Sequence, residues 1–183
     1  MVNIPGGNVF INPQELLDKS AVTEGMSVGD LGCGSSGHFI VPFSKAVGSK
    51  GKVYAVDIQK EVLSSIISVA KMNLLTNVET VWSNLEMVGA TKIPADSLDI
   101  ALLINVMFQN KNHLNLMKEA MRLIKPGGKI IIADWKKIAL PIGPPLDLRV
   151  DKEELKNIAA SLKLNLFSDD ALGNNHFLLI FQK

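Results

Sequence analysis

Cysteine is almost missing from this 183-residue sequence: Cys33 is the only one, which excludes an intramolecular disulfide and a cysteine-rich zinc site. No metal is expected. Aromatic residues are scarce at 5%, and the formal net charge is only +1. A surface built to stack bases or neutralise a run of phosphates needs more of both, so nucleic acid is a disfavoured partner, with a local basic patch still open. Long apolar runs are absent too. Ile100 to Ile104 and Ile130 to Ala133 fall far short of the roughly 20 residues that cross a bilayer. Met1 to Gly7 has no basic stretch leading into an apolar core, so no secretory leader is expected and the cytoplasm is the expected compartment. Neither internal repeats nor an interdomain linker are visible. What remains is 47% hydrophobic and 20% charged, ordinary globular composition that predicts one domain over 1–183. Within it, 1–24 reads as an arm and helix, and 25–183 as the core.

The first ten residues, with Pro5, Gly6 and Gly7, read as an irregular arm. Asn12, Pro13 and Glu15 then form a helix-start signal: a cap, a proline at the first helical position and a capping-box partner. Beyond Gly25, apolar strand-like runs alternate with helical patterns. Strands are predicted over 26–31, 52–57, 78–82, 97–105 and 129–134. Helices are predicted over 36–47, kinked at Pro42, and over 60–74 and 112–124. Pro126-Gly127-Gly128 reads as a sharp turn before the fifth strand. Strands apolar on both faces, alternating with helices, imply a doubly wound, mostly parallel sheet with helices on both sides. After a helix capped by Asp151, two runs at 164–167 and 177–181 flank Gly173-Asn174-Asn175-His176. No crossover helix fits between them, so they are predicted to form an antiparallel hairpin.

Gly32-x-Gly34-x-x-Gly37 lies between the first strand and the following helix. Glycines there permit a tight turn and let a ligand approach the backbone, although the same pattern serves nicotinamide enzymes or plain turn geometry. Asp57 ends the next strand, where a carboxylate can accept from both ribose hydroxyls, the alternative being a solvated strand end. Asp30 separates the nucleotide classes. A carboxylate two residues before Gly32 faces a pyrophosphate unfavourably but suits a ligand carrying an ammonium and a sulfonium.

With these residues in place, Val28-Gly29-Asp30-Leu31-Gly32-Cys33-Gly34 resembles motif I of the class I S-adenosylmethionine-dependent methyltransferases. Val56-Asp57-Ile58 resembles the family's acidic ribose motif, 97–105 its fourth strand, and Leu123 to Gly128 the turn before its fifth. The terminal hairpin is similar to its reversed last strand. The resemblance covers residues 22–183 and leans, more loosely, toward small-molecule and quinone methyltransferases. It implies a Rossmann-like seven-stranded fold and S-adenosyl-L-methionine as cofactor. The cofactor would be held by Asp30, Gly32, Cys33, Gly34, Ser36, Gly37, Asp57, Ile58, Asn84, Leu85 and Asn105. Asn84 stands where the family commonly has an aspartate for the adenine amino group; its side-chain oxygen can still accept, so a weaker contact is expected.

Methyl transfer is an in-line displacement that asks the protein mainly to hold the reactants and exclude water. In an open α/β sheet the site lies beyond the carboxyl ends of the strands. That places the arm, the loops after Asn105 and Asp134, and the hairpin turn around it. Phe10 and Trp135 are candidate acceptor walls, and Lys136, Lys137 or Arg149 candidate grips on an anionic group. The stiff segment over 136–149 is either a lid or a connector. His113, beside the expected mouth, is a candidate general base; His38 reads as partly buried and His176 as solvated. Val106, Met107 and Phe108 read as packing. The expected acceptor is small or lipid-like. RNA or protein is an alternative acceptor, although no Asn-Pro-Pro-Tyr-like sequence follows Asn105. A nicotinamide-dependent reductase and a non-catalytic cofactor-binding partner are the alternatives from other classes. Oligomeric state is not readable.

Overall fold

A computed structural model describes residues 7–183. Of the expected arm, Met1 to Gly6 lie outside the described residues, as does nearly all of the stretch behind the leader expectation; Gly7–Phe10 forms a turn of 3-10 helix. Helix α1 (Pro13–Ser20) starts where the sequence signals it, with Asn12 Oδ1 accepting from the Gln14 amide at 2.9 Å. The capping box does not close, because Glu15 instead accepts from the Gly173 amide at 3.4 Å. A contact distant in sequence has taken the side chain from its local role.

Strands β1 (Ser27–Leu31), β2 (Lys52–Asp57), β3 (Val78–Trp82), β4 (Leu98–Ile104) and β5 (Ile124–Trp135) alternate with α2 (Ile40–Val47), α3 (Lys60–Met72) and α4 (His113–Leu123). Helix α5 (Lys152–Ser161), capped by Asp151, then leads into β6 (Asn165–Leu172) and β7 (His176–Gln182). Two expectations change. Helix α2 begins at Ile40, not Ser36, so Pro42 falls in its first turn, where a missing N–H costs no helical bond and causes no kink. The Pro126-Gly127-Gly128 stretch is a bulge inside β5. The register steps from Leu98 opposite Ile124 to Ile100 opposite Lys129, and the Gly127 amide donates to the Lys183 carbonyl at 2.9 Å.

The strands form one sheet in the order β3-β2-β1-β4-β5-β7-β6, parallel except that β7 runs antiparallel to both neighbours. One face is covered by α4 and α5, burying Leu116, Met117 and Leu155; the other by α1, α2 and α3, burying Leu16, Phe43 and Ile66. Strand order reverses between β1 and β4, which opens a crevice at their carboxyl ends. Asp30, Asp57, Asn105 and Trp135 lie at or just beyond the carboxyl ends of β1, β2, β4 and β5, and the amino end of β7 meets them there at His176. Among the described residues, no helix is long and apolar enough to cross a membrane.

Candidate active site

The glycine loop is pinned at its start, where the Gly32 and Cys33 amides both donate to the Val56 carbonyl at 2.8 and 3.0 Å. A Cβ on Gly32 would sit 2.6 Å from Val106 Cγ2, and one on Gly37 2.7 Å from Val69 Cγ1. These two glycines are therefore required by packing. Gly34 differs: its φ is +63°, and a Cβ there would meet nothing within 4 Å. It leaves bare backbone facing open space. Asp57 braces this floor, with Oδ2 accepting from the Gly34 amide at 3.3 Å and Oδ1 from the Gln59 amide at 2.9 Å. The Ser36 hydroxyl accepts from the His38 amide at 3.3 Å, and His38 Nε2 lies 2.9 Å from the Ile11 carbonyl, which ties α1's entry to the loop. Cys33 offers only main chain here. Its side chain lies in the core, where burial pushes the thiol pKa up, and its amide already serves Val56.

Asp30 is buried, and its Oδ2 has no partner among the described residues. Burial first, and the nearby Asp57 carboxylate second, push its pKa up to about 7. A buried carboxylate oxygen without a partner needs a proton or a cation. A ligand bearing an ammonium fits that need, and open backbone at Gly34 with a carboxylate on β2 fits a ribose. The apolar surfaces next in line are Ile58, 52% exposed, and half-buried Leu85. Trp82, to which the sequence assigns no role, lies opposite Asp57 in the β2–β3 ladder and donates from Nε1 to the Ile58 carbonyl at 2.8 Å. Its place at a strand end level with Asp57 was the available signal. Asn84 Oδ1 already accepts from the Glu86 amide at 3.0 Å, holding its own turn. Only its second lone pair is left for an adenine amino group.

Asn105 continues the crevice from β4 with a positive φ of 56°, a conformation that asparagine tolerates better than most residues. It is buried. Its Nδ2 donates to Asn8 Oδ1 at 2.9 Å, and its Oδ1 has no partner among the described residues. Trp135 is fully buried where three of the expected regions converge. Phe10 of the arm meets its ring edge-on at 5.7 Å between centroids, His176 of the hairpin lies 4.4 Å away, and Gly143 packs so closely that a Cβ would fall 2.6 Å from Trp135 Cε3.

Four expectations on this side are corrected. Arg149 does not reach outward to grip an anion. Its guanidinium is buried and donates to the carbonyls of Pro144, Lys136, Ile138 and Ile142 at 2.6–3.2 Å, fastening the proline-rich segment. Lys136 is likewise engaged, its Nζ donating to the Asn174 carbonyl at 2.9 Å. His113 is a bridge, not a free base, with Nδ1 2.8 Å from Glu154 and Nε2 3.1 Å from the Met107 carbonyl. His176 is fully buried, not solvated, and neither ring nitrogen has a partner among the described residues. Burial, then the charges of Lys136 and Arg149, lower its pKa to about 4, so the ring is neutral.

Asp134 is a further residue that the sequence does not single out. It is buried at the end of β5 and accepts from the amides of Trp135 and Phe108 at 2.8 and 3.2 Å, and burial pushes its pKa up to about 7. A cleft of about 660 Å³ lies over the ends of β5, β6 and β7, lined by Lys136, Lys137, Asp169 and Phe177 among others, and no residue of the glycine loop borders it. Among the described residues, no cluster of His, Cys, Asp or Glu is suited to a metal ion.

The family described as a methyltransferase domain matches residues 22–178. The ubiquinone/menaquinone biosynthesis C-methyltransferase UbiE of Hahella chejuensis is 31% identical over 134 residues, which is 69% of this chain and 49% of that protein. The demethylmenaquinone methyltransferase of Lactococcus lactis is 28% identical over 120 residues, 64% of this chain and 45% of that protein. The chain thus spans about half the length of the curated relatives it matches. Among solved structures, a SAM dependent methyltransferase from Aquifex aeolicus superposes with a TM-score of 0.87 at 27% identity, covering 97% of this chain and 93% of that one. A putative type 11 methyltransferase from Sulfolobus solfataricus shares the fold, with a TM-score of 0.74 at 24% identity over 95% of this chain and 93% of that one.

Proposed function

This chain belongs to the methyltransferase-domain family, whose class I members use S-adenosylmethionine, and on that premise we propose that it transfers the cofactor's methyl group to a small or lipid-like acceptor. The observation that carries this reading is the partnerless oxygen of buried Asp30, set beside the open backbone of Gly34 and the Asp57 carboxylate. When bound, S-adenosylmethionine supplies an electrophilic methyl on a sulfonium that departs as a neutral thioether. Asp57 accepts from the ribose hydroxyls, each charge-assisted bond contributing about 1.5–3 kcal/mol. Asp30 takes the cationic amino-acid end, which removes its need for a proton. Ile58 and Leu85 cover the base, and Asn84 accepts from its amino group with the lone pair that Glu86 leaves. Gly32, Gly37 and Ser36 shape the loop. Asn105, Phe10 and Trp135 border the acceptor and keep water from the reacting atoms.

We read residues 1–183 as one such domain acting in the cytoplasm. A small acceptor is supported by the names of the curated relatives, one a ubiquinone/menaquinone biosynthesis C-methyltransferase and the other a demethylmenaquinone methyltransferase. Its near-neutral charge argues against a nucleic-acid acceptor. Calorimetric titration with S-adenosylhomocysteine and with NADH, followed by labelled-methyl transfer to fractionated cell extract, tests the proposal. Saturable binding of the first and label in the small-molecule or lipid fraction are expected. Binding of NADH alone would overturn it, and label confined to RNA or protein would overturn the acceptor class.

A further inference from the structure

The cleft of about 660 Å³ over the ends of β5, β6 and β7 stands apart from the glycine loop. Phe177, in its floor, belongs to the core beneath α4 and α5, whereas Trp135 and His176 point to the opposite face of the sheet, as alternation along β5 and β7 requires. Buried Val150 extends the apolar floor, and exposed Ile138 borders it. Charge in the lining is uneven. Each carboxylate there is already met: Asp169 accepts from Lys152 Nζ at 2.9 Å and also pairs with Lys156, Asp170 lies 3.4 Å from Lys19 Nζ, and Asp151 caps α5 by accepting from the Glu153 amide at 3.0 Å. The cations around Ile138 are not. Among the described residues, no ion pair involves Lys136, Lys137 or Arg149. Lys136 donates to the Asn174 carbonyl, and Arg149 donates only to carbonyls, among them those of Lys136 and Ile138 in the cleft wall. A carbonyl satisfies the N–H groups of a cation without cancelling its charge. Arg149 is buried, so water and salt screen that charge little. The effect is felt nearby, where Lys136 and Arg149 add to burial in lowering the His176 pKa.

We propose that this cleft is a second ligand site, and that it takes an amphiphile with one anionic end, a carboxylate carried on an apolar chain. The site so assigned is independent of the methyl-transfer reading. The chain lies on Val150, Phe177 and Ile138. The carboxylate pairs with Lys137, within the positive field of Lys136 and Arg149. Arg149 keeps its place as a fastener and does not touch the ligand; its bonds to the Lys136 and Ile138 carbonyls fix the wall that presents Lys137. A cationic head would meet like charges there, and a neutral head would leave Lys137 in water. A doubly charged head would ask for a second free cation, and only Lys137 is uncommitted to a carbonyl.

Octanoate, 1-octanol and octylammonium, titrated calorimetrically into the full chain at low and high salt, test the site. Saturable octanoate binding is expected, about tenfold tighter than octanol at low salt, with octylammonium weakest and the preference narrowing as salt rises. Lys137 is exposed, so Lys137→Met should weaken octanoate only about three- to fivefold while leaving octanol unchanged, and Lys137→Arg should restore most of the loss. Ile138→Ser should weaken both chains alike. Octanoate affinity should be the same with and without S-adenosylhomocysteine, because no residue of the glycine loop borders the cleft. Absence of saturable octanoate binding would overturn the site, and equal affinity for octanoate and octanol would overturn its anionic ligand. Competition with S-adenosylhomocysteine would overturn it as well, by placing the probe in the cofactor crevice.

Discussion

Replacing Gly34 and Gly32 with alanine separates ligand cradle from packing within one loop. At Gly34 the backbone has a φ of +63° and the new methyl meets nothing within 4 Å. The cost to the ligand-free fold is therefore that of a left-handed L-residue alone, about 1–2 kcal/mol. At about 2–4 °C per kcal/mol for a chain of this size, Tm should fall by about 2–8 °C. The same methyl enters the open space through which the cofactor is proposed to approach the backbone. Overpacking of about 1–3 kcal/mol there weakens S-adenosylhomocysteine binding by about five- to 150-fold. Gly32→Ala carries a similar backbone cost and also drives its methyl to 2.6 Å from Val106 Cγ2. Adding about 1–3 kcal/mol of overpacking brings its total to about 2–5 kcal/mol. Val106→Ala should relieve part of this, giving a coupling of about 0.5–3 kcal/mol in a double-mutant cycle. Urea unfolding supplies the stabilities and calorimetry the affinities. Parental affinity in Gly34→Ala would refute the cradle, and strict additivity of Gly32→Ala with Val106→Ala would refute the close approach.

Other consequences follow from the same contacts. Asp57→Ala removes the proposed ribose acceptor and should lower S-adenosylhomocysteine affinity about 100-fold or more, since two charge-assisted bonds are worth about 3 kcal/mol at the least; unchanged calorimetric affinity would show the ribose misplaced. Asp30 has a folded pKa of about 7 against the ordinary aspartate value of 3.8, so between those values the folded chain holds more protons than the unfolded one. Its contribution to ligand-free stability therefore falls as pH rises through that window, by at most about 1.4 kcal/mol per pH unit. His176, lowered from 6.5 to about 4, acts oppositely over part of the same range. The difference between parent and Asp30→Asn isolates the aspartate: urea unfolding across pH 4–7 should show the parent losing ground steadily, and a flat difference would place Asp30 outside the buried site. Arg149→Met leaves four carbonyls of the proline-rich segment without their donor. A loss of at least about 3 kcal/mol and limited proteolysis between Lys137 and Leu148 are expected, with cofactor affinity kept; parental protease resistance would show that the segment holds itself.

The elements that could be read from the chain are those whose signals are local. Asn12 and Asp151 cap helices through amides two residues away, and in the structure both do so. Gly32, Gly34 and Gly37 announce a loop between a strand and a helix, and Asp30 and Asp57 sit at strand ends with known spacing from it. The shortage of chain between the last two strands forces them antiparallel. Parallel order, hairpin and the cofactor half of the candidate site are therefore written in neighbouring residues, because backbone geometry and short-range hydrogen bonding depend on little else.

The candidate acceptor half was decided by partners that meet only on folding. Arg149 looks like a surface cation in the sequence until the carbonyls of the 136–145 segment close around it. His113 looks like a base until Glu154, 41 residues away, takes one nitrogen. His176, in a turn-rich stretch that reads as solvated, is carried by the β5–β7 register onto Trp135 and buried there. Nothing local distinguishes a polar side chain that will face water from one that will be enclosed, because desolvation is a property of what packs over it. The sequence by itself determined the sheet, the loop and the carboxylates at the strand ends beside it. Only the tertiary structure decided which polar groups became fasteners and which were left buried at the carboxyl edge, without partners among the described residues.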